Sequence, residues 1–418
     1  MTTPLREPRP QRTPGRRPNR DPYGLLPAGT PIAAVLAVAG LLVIAAATFV
    51  IGSGSLPFGL GGGVGNGAGA SGRPEVVKTP TPSGQVVVPS PQVPGVVIPG
   101  TIAYVKGGNV WLQADGAARQ LTSSGTDSMP SFSEDGAAVY FVRTRKVDGL
   151  WKLPDGTMRE YRMDVPALMR IPVGGGDAAM VYDGLVDPAG RPKWMGFIQG
   201  PVVSPDGKTV AMTSDLPDPS KSDVTLKLLD LKAKKIKDLK LPQVPLLGHQ
   251  DAAWRPDGLR LAYVENDRDG AKGMPQIYAY DLETGKTKAV TGPGYIHPSW
   301  SPDGRYLAAT KTTQYGTDVV VLDAASGSEL LRLTSDGDSW GPSWSPAGDQ
   351  IAYLHVSGQV VDLRMIQLDG AAPAWKPAEP MDLTSSAGLE SVSRPDWFVP
   401  ADQLPASSAP APAGSAAQ

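Results

Sequence analysis

The 418-residue chain contains no cysteine. That excludes disulfides, thiolate metal sites, a cysteine nucleophile and a lipid-modified N-terminal cysteine. Histidine is nearly absent too, with only His249, His297 and His355. Zinc and imidazole general-base chemistry must fit around those three or not exist. Formal net charge is −2, so the whole chain makes no case for a nucleic-acid partner. Neither a P-loop, a dinucleotide-binding glycine fingerprint, a His-Glu-x-x-His helix nor a Gly-x-Ser-x-Gly elbow occurs. Nothing calls for a cofactor, and no catalytic residue is assigned. What the chain has in excess is glycine (49) and proline (43), the mark of many turns and of segments without regular structure.

One long apolar run stands out. Ile32 to Ile51 is uncharged and twenty residues long, and at about 1.5 Å per residue it reaches about 30 Å, the thickness of a bilayer core. Six arginines precede it, from Arg6 to Arg20, and the next basic residue after it is Arg73. The run is longer than a signal-peptide core and predicts a retained anchor, with cleavage near Ala45–Thr48 as the alternative. The positive-inside rule places the basic tail in the cytoplasm and the bulk of the chain outside. The sequence therefore divides into a cytoplasmic tail over 1–28, a transmembrane helix over 29–52, a Gly/Pro-rich linker over 53–100, a repeat domain over 101–400 and an Ala/Pro/Ser-rich disordered tail over 401–418.

The repeat is read most clearly in P-S-W-S-P-D-G-R-Y-L-A-A-T, Pro298 to Thr310. Variants start at Pro130, Pro201, Ala252 and Pro342, and a truncated sixth opens at Pro395; the intervals are 71, 51, 46, 44 and 53 residues. The fullest unit has an inner strand ending in Trp or Phe, a Ser-Pro-Asp-Gly turn, an apolar second strand, a third strand, a polar turn and a fourth strand closing near Leu-Thr or Val-Thr, as at Leu121-Thr122, Val290-Thr291 and Leu333-Thr334; the others vary on it. Four strands at a period of 40–50 residues make a propeller blade. The chain enters at Ile102 with strands two to four of a blade lacking its first, and Pro395–Val399 supplies a first strand lacking its followers. Pairing these ends seals a six-bladed, all-β ring.

These residues resemble the TolB-like six-bladed β-propeller family, whose repeats carry the same P-x-W-S-P-D-G signature and end in Leu-Thr. The resemblance covers about 300 residues and implies an extracytoplasmic, protein-binding propeller. The family's namesake has a separate α/β domain where this chain has its apolar run and linker.

Alternating strand direction puts the Ser-Pro-Asp-Gly turns on one face and the second-to-third and blade-to-blade loops on the other, here called the loop face. Two insertions, about Lys146–Val165 and Gly184–Gly200, fall on the loop face. They bring Trp151, Tyr161, Arg162, Arg191, Trp194 and Phe197, residue types enriched at interfaces. They are read either as a recognition surface or as a self-packed plug. The approaches to the inner strands add His249, Asp251, Tyr295, His297, Trp340 and Arg394 near the channel mouth. The three histidines, or Asp127, Asp251 and Asp338 with a calcium ion, are weaker constellations. The expected function is a membrane-anchored scaffold for a protein, peptide or cell-wall polymer. The alternative is a cell-envelope hydrolase or lyase working at the channel mouth.

Overall fold

The computed structural model describes residues 87–89, 98–114, 117–153, 155–189, 192–219, 222–241, 248–266 and 274–404. The apolar run, most of the linker and the C-terminal tail lie outside these residues. Among the described residues no helix is long and apolar enough to cross a membrane.

Six antiparallel sheets form the ring. The first blade comprises Asp127–Phe132, Ala138–Lys152, Met158–Pro172 and Ala179–Asp183. The second runs from Gln199–Val203 to Lys235–Asp238, the third from His249–Trp254 to Thr287–Pro293, and the fourth from Tyr295–Trp300 to Glu329–Arg332. The fifth runs from Ser339–Trp344 to Lys376–Pro377, with Met381–Asp382 also paired to its third strand. The sixth joins the two ends of the domain: Thr101, Ile102 and Ala103 pair with Phe398, Trp397 and Asp396. The ring is thus closed by its own termini. Within the stretch assigned to the linker, Val87–Pro89 adds a fifth strand outside Ala117–Gln120.

The recurrent residues have recurrent tasks. In the Ser-Pro-Asp-Gly turn of the fourth blade, the Ser301 hydroxyl donates to Asp303 at 2.6 Å and accepts from the Tyr306 N–H at 3.0 Å. Gly304 takes φ +66°, a left-handed value that side-chain-bearing residues avoid, and its N–H closes the turn on Ser301. The closing Thr caps the third strand. Thr122, Thr291, Thr334 and Thr384 accept from the N–H of Val110, Ile277, Val319 and Leu363 at 2.9–3.2 Å. These four donors are buried, where an unmet N–H is costly.

The core is divided among six apolar clusters, each shared by two neighbouring blades. The aromatic residue near the end of five of the inner strands, Phe132, Trp254, Trp300, Trp344 or Trp397, sits in or against one of them, and Val203 takes that place in the second blade. Trp300 packs among Ala262 and Val264 of the third blade and Leu307 and Val320 of the fourth. Trp397 packs with Ala352 and Leu354 of the fifth and Ile102 of the sixth, donating its indole N–H to Pro99 O at 2.8 Å. Burying such a side chain is worth several kcal/mol, about 3–5 on truncation to alanine, so the wedges help hold the blades together.

Candidate functional site

The inner strands surround an axial cavity of about 990 Å³. Five of the six inner strands carry the same irregularity, a shift of register in the middle of the strand. The bulged residues are Met129, Gly200, Asp251, His297 and Gly341, with φ between 53° and 63°. Arg394 holds the corresponding sequence position just before the sixth inner strand, Asp396–Phe398. Left-handed conformation is strained for a non-glycine residue, and cost about 1–3 kcal/mol each, so its repetition at one level of the channel marks a constrained site.

Contacts around this ring run from blade to blade. Met129 N donates to Ser393 Oγ at 3.1 Å and His297 N to Asp251 Oδ2 at 3.3 Å. The Thr310 hydroxyl accepts from Gly341 N at 2.9 Å and is hydrogen-bonded to His297 Nδ1 at 3.0 Å. The other ring nitrogen, Nε2, faces Asp251 Oδ2 at 3.7 Å. Arg394 reaches from the sixth blade to Pro298 O of the fourth at 3.1 Å. Burial pushes the His297 imidazole down to about 4; Asp251 opposes that shift and Arg394 reinforces it.

A second ring lies one step further along the inner strands: Ser131, Val202, Ala253, Ser299, Ser343 and Asp396, the middle residue of the Pro-x-aromatic segment and its variants. Ser299 Oγ accepts from Trp344 N at 2.9 Å, and Asp396 Oδ2 from Phe132 N at 2.7 Å. Asp396 is the only ionisable member, and burial pushes its carboxyl up to about 6 against the pull of Phe132 N–H and Arg394. The sequence reading passed over Asp396 and Thr310. Asp396 was visible as the one acid at a repeat position otherwise small or apolar; nothing in the repeat marked Thr310.

Of the residues expected at the mouth, Asp251, His297, Trp340 and Arg394 line the cavity. Tyr295 is partly buried beside the cluster between the third and fourth blades, with Lys311 Nζ 5.6 Å from its ring centre. His249 does not serve a surface: it is 2% exposed, edge-on to Tyr263, because its strand begins inside the interface between the second and third blades. His355 is buried against Ser339 at 3.0 Å, so the three histidines occupy separate environments. Asp127 is buried under Arg143 at 2.7 Å, while Asp338 is exposed. Among the described residues no group of three His, Asp or Glu side chains is placed to hold a metal ion.

The first insertion is a straight continuation of two strands, paired without a break from Ala138↔Pro172 to Lys152↔Met158. Its outward side carries the ion pairs Lys146–Asp164 and Asp148–Arg162, together with exposed Leu150 and Met158. Its inward side carries Tyr161, whose ring lies over Gly149 where a Cβ would meet it at 2.3 Å. The Tyr161 hydroxyl donates to Lys193 O at 2.6 Å. That contact ties the ribbon to the second insertion, a small hairpin pairing Leu185–Val186 with Trp194–Met195. Trp194 and Phe197 are half-buried, and Phe197 N donates to Asp215 at 2.7 Å. Arg191 and the Trp151 side chain lie outside the described residues.

A ring of six four-stranded blades, wedged by aromatics and closed by its own ends, defines a six-bladed β-propeller. Residues 192–382 match the family model of the TolB beta propeller domain, and the described ring is a TolB-like propeller. The chain is 33% identical over 103 residues to the Protein TolB homolog of Chlorobium chlorochromatii, covering 24% of this chain and 22% of that protein. It is 25% identical over 274 residues to Dipeptidyl-peptidase 5 of Porphyromonas endodontalis, covering 53% of this chain and 34% of that one. It thus spans about a fifth to a third of these relatives. The crystal structure of TolB from Acinetobacter baumannii superposes with a TM-score of 0.51 at 21% identity, over 71% of this chain and 66% of that one, a likeness of fold.

Proposed function

We propose that the chain is a membrane-anchored, extracytoplasmic binding scaffold that takes a protein, peptide or cell-wall polymer at the loop-face mouth of its channel. The observation that carries this reading is the ring of strained residues, Met129, Asp251 and His297, held in left-handed backbone at one level of a cavity of about 990 Å³. A cavity of that size accepts a drug-sized group or several side chains of an extended segment. Asp251, the His297 imidazole and Arg394 offer a carboxylate, a ring nitrogen and a cation at the mouth. The Ser131 and Ser299 hydroxyls of the second ring are engaged with backbone N–H groups, which suits a wall more than a nucleophile. The coupled ribbon and hairpin supply a second contact surface beside the mouth. Anchoring rests on the run Ile32–Ile51 and the arginines before it.

The test is capture by the full chain of a partner from envelope extracts, repeated with Asp251→Ala, Arg394→Ala and a ribbon shortened to Arg145–Pro166. Loss of affinity of about tenfold, or 1.4 kcal/mol, in a channel variant supports the reading. Affinity unchanged in all three removes it. The alternative, a hydrolase or lyase at the same mouth, draws on the oppositely shifted pair Asp396 and His297. Turnover in a panel of envelope glycans and peptides, abolished by Asp396→Asn, would select it.

A further inference from the structure

Among the described residues twelve lysines and arginines meet a carboxylate, Arg143, Arg145, Lys146, Arg162, Lys311 and Arg364 among them. The outer edge of the second blade departs from this. Lys232, Lys234, Lys235, Lys237 and Lys240 are exposed, and among the described residues none has an ion-pair partner. The nearby acids are occupied. Asp238 pairs with the buried Lys227 at 2.7 Å, and Asp230 caps the turn through the N–H groups of Lys232 and Ala233. Lysines on an edge strand also prevent strand-to-strand aggregation. That accounts for Lys235 and Lys237, which lie on the strand Lys235–Asp238, but not for Lys232 and Lys234 in the turn or Lys240 beyond it.

We infer that this rim is a docking surface for an anionic lipid bilayer. Between residues 222 and 241 there is no arginine. Arginine is the residue for bidentate recognition of a particular phosphate or carboxylate, whereas lysine is a mobile point charge that suits a smeared one. The turn between the third and fourth strands lies on the Ser-Pro-Asp-Gly face, where Leu231 N donates to Lys208 O at 3.0 Å. A bilayer against that corner leaves the channel mouth and the ribbon facing away from the lipid. The inference rests on the membrane-proximal reading above.

The experiment is amine acylation of the full chain with vesicles, read lysine by lysine. In phosphatidylglycerol-containing vesicles, labelling of the five rim lysines slows about fivefold relative to phosphatidylcholine vesicles, the factor for about 1 kcal/mol per lysine. Exposed Lys146, Lys286 and Lys376 keep their rates. Salt near 1 M, where the screening length is about 3 Å, restores the rim. Equal rim labelling in both vesicle types overturns the inference. So does slowing by soluble polyglutamate or polyphosphate without slowing by phosphatidylglycerol, which would assign the rim to another polyanion. Flotation with phosphatidylcholine vesicles tests the anchor separately: a chain that fails to float lacks the anchor, yet its rim lysines are still expected to slow with phosphatidylglycerol.

Discussion

At the residue scale the channel holds two groups displaced in opposite directions. The His297 imidazole is lowered from 6.5 to about 4, so its contribution to stability is present above pH 6.5 and is lost as pH falls towards 4. The Asp396 carboxyl is raised from 3.8 to about 6, so its contribution is present below pH 3.8 and is lost as pH rises through 6. Between pH 4 and 6 the two slopes oppose each other. Asp396→Asn should therefore make stability rise more steeply with pH over that window than in the wild type, and His297→Gln should make it rise less or fall. Urea unfolding at half-unit pH steps checks both signs; identical slopes in the three proteins would contradict the assignment. Neither displacement could be read from the sequence, because each depends on enclosure by strands from all six repeats.

At the scale of the element, the repeat motif was legible and its reasons are local. Ser301, Asp303 and Gly304 form a turn by themselves. The function of the closing Thr became visible only with the third strand beside it. Thr334→Val should cost about 1–3 kcal/mol in denaturant unfolding by stranding the Val319 N–H, and Thr334→Ser should restore most of it. The insertions were located from their length, and the continuous pairing to Lys152↔Met158 makes the first a two-stranded ribbon. Tyr161→Phe removes its tie to Lys193 and should speed amide exchange in Leu185–Val186 and Trp194–Met195 while leaving the fourth blade unchanged. Unaltered exchange in that hairpin would show that the two insertions are not coupled through this bond.

For the whole molecule, closure is the decisive feature, and the sequence showed it because a blade lacking its first strand begins the domain and a lone first strand ends it. Thr101↔Phe398 and Ile102↔Trp397 bear this out. Trp397→Ala should cost about 3–5 kcal/mol, and removing residues 395–404 should cost more by leaving the clusters flanking the sixth blade without their wedge. Thermal unfolding ranks the two; a truncated chain as stable as the point variant would mean that the ring does not depend on its seam. What the sequence withheld was which side chains from separate repeats meet. His249 and His297 lie two residues apart in equivalent strands, yet one is core and the other lines the channel.

The scaffold reading is tested most directly by hydrogen exchange of the full chain with and without its captured partner. Protection is predicted at the loop-face ends of the inner strands, Asp127–Pro130, Gln250–Ala252, Ile296–Pro298 and Ser391–Pro395, and along the ribbon. Protection confined to the Ser-Pro-Asp-Gly turns, with those segments unchanged, would contradict it.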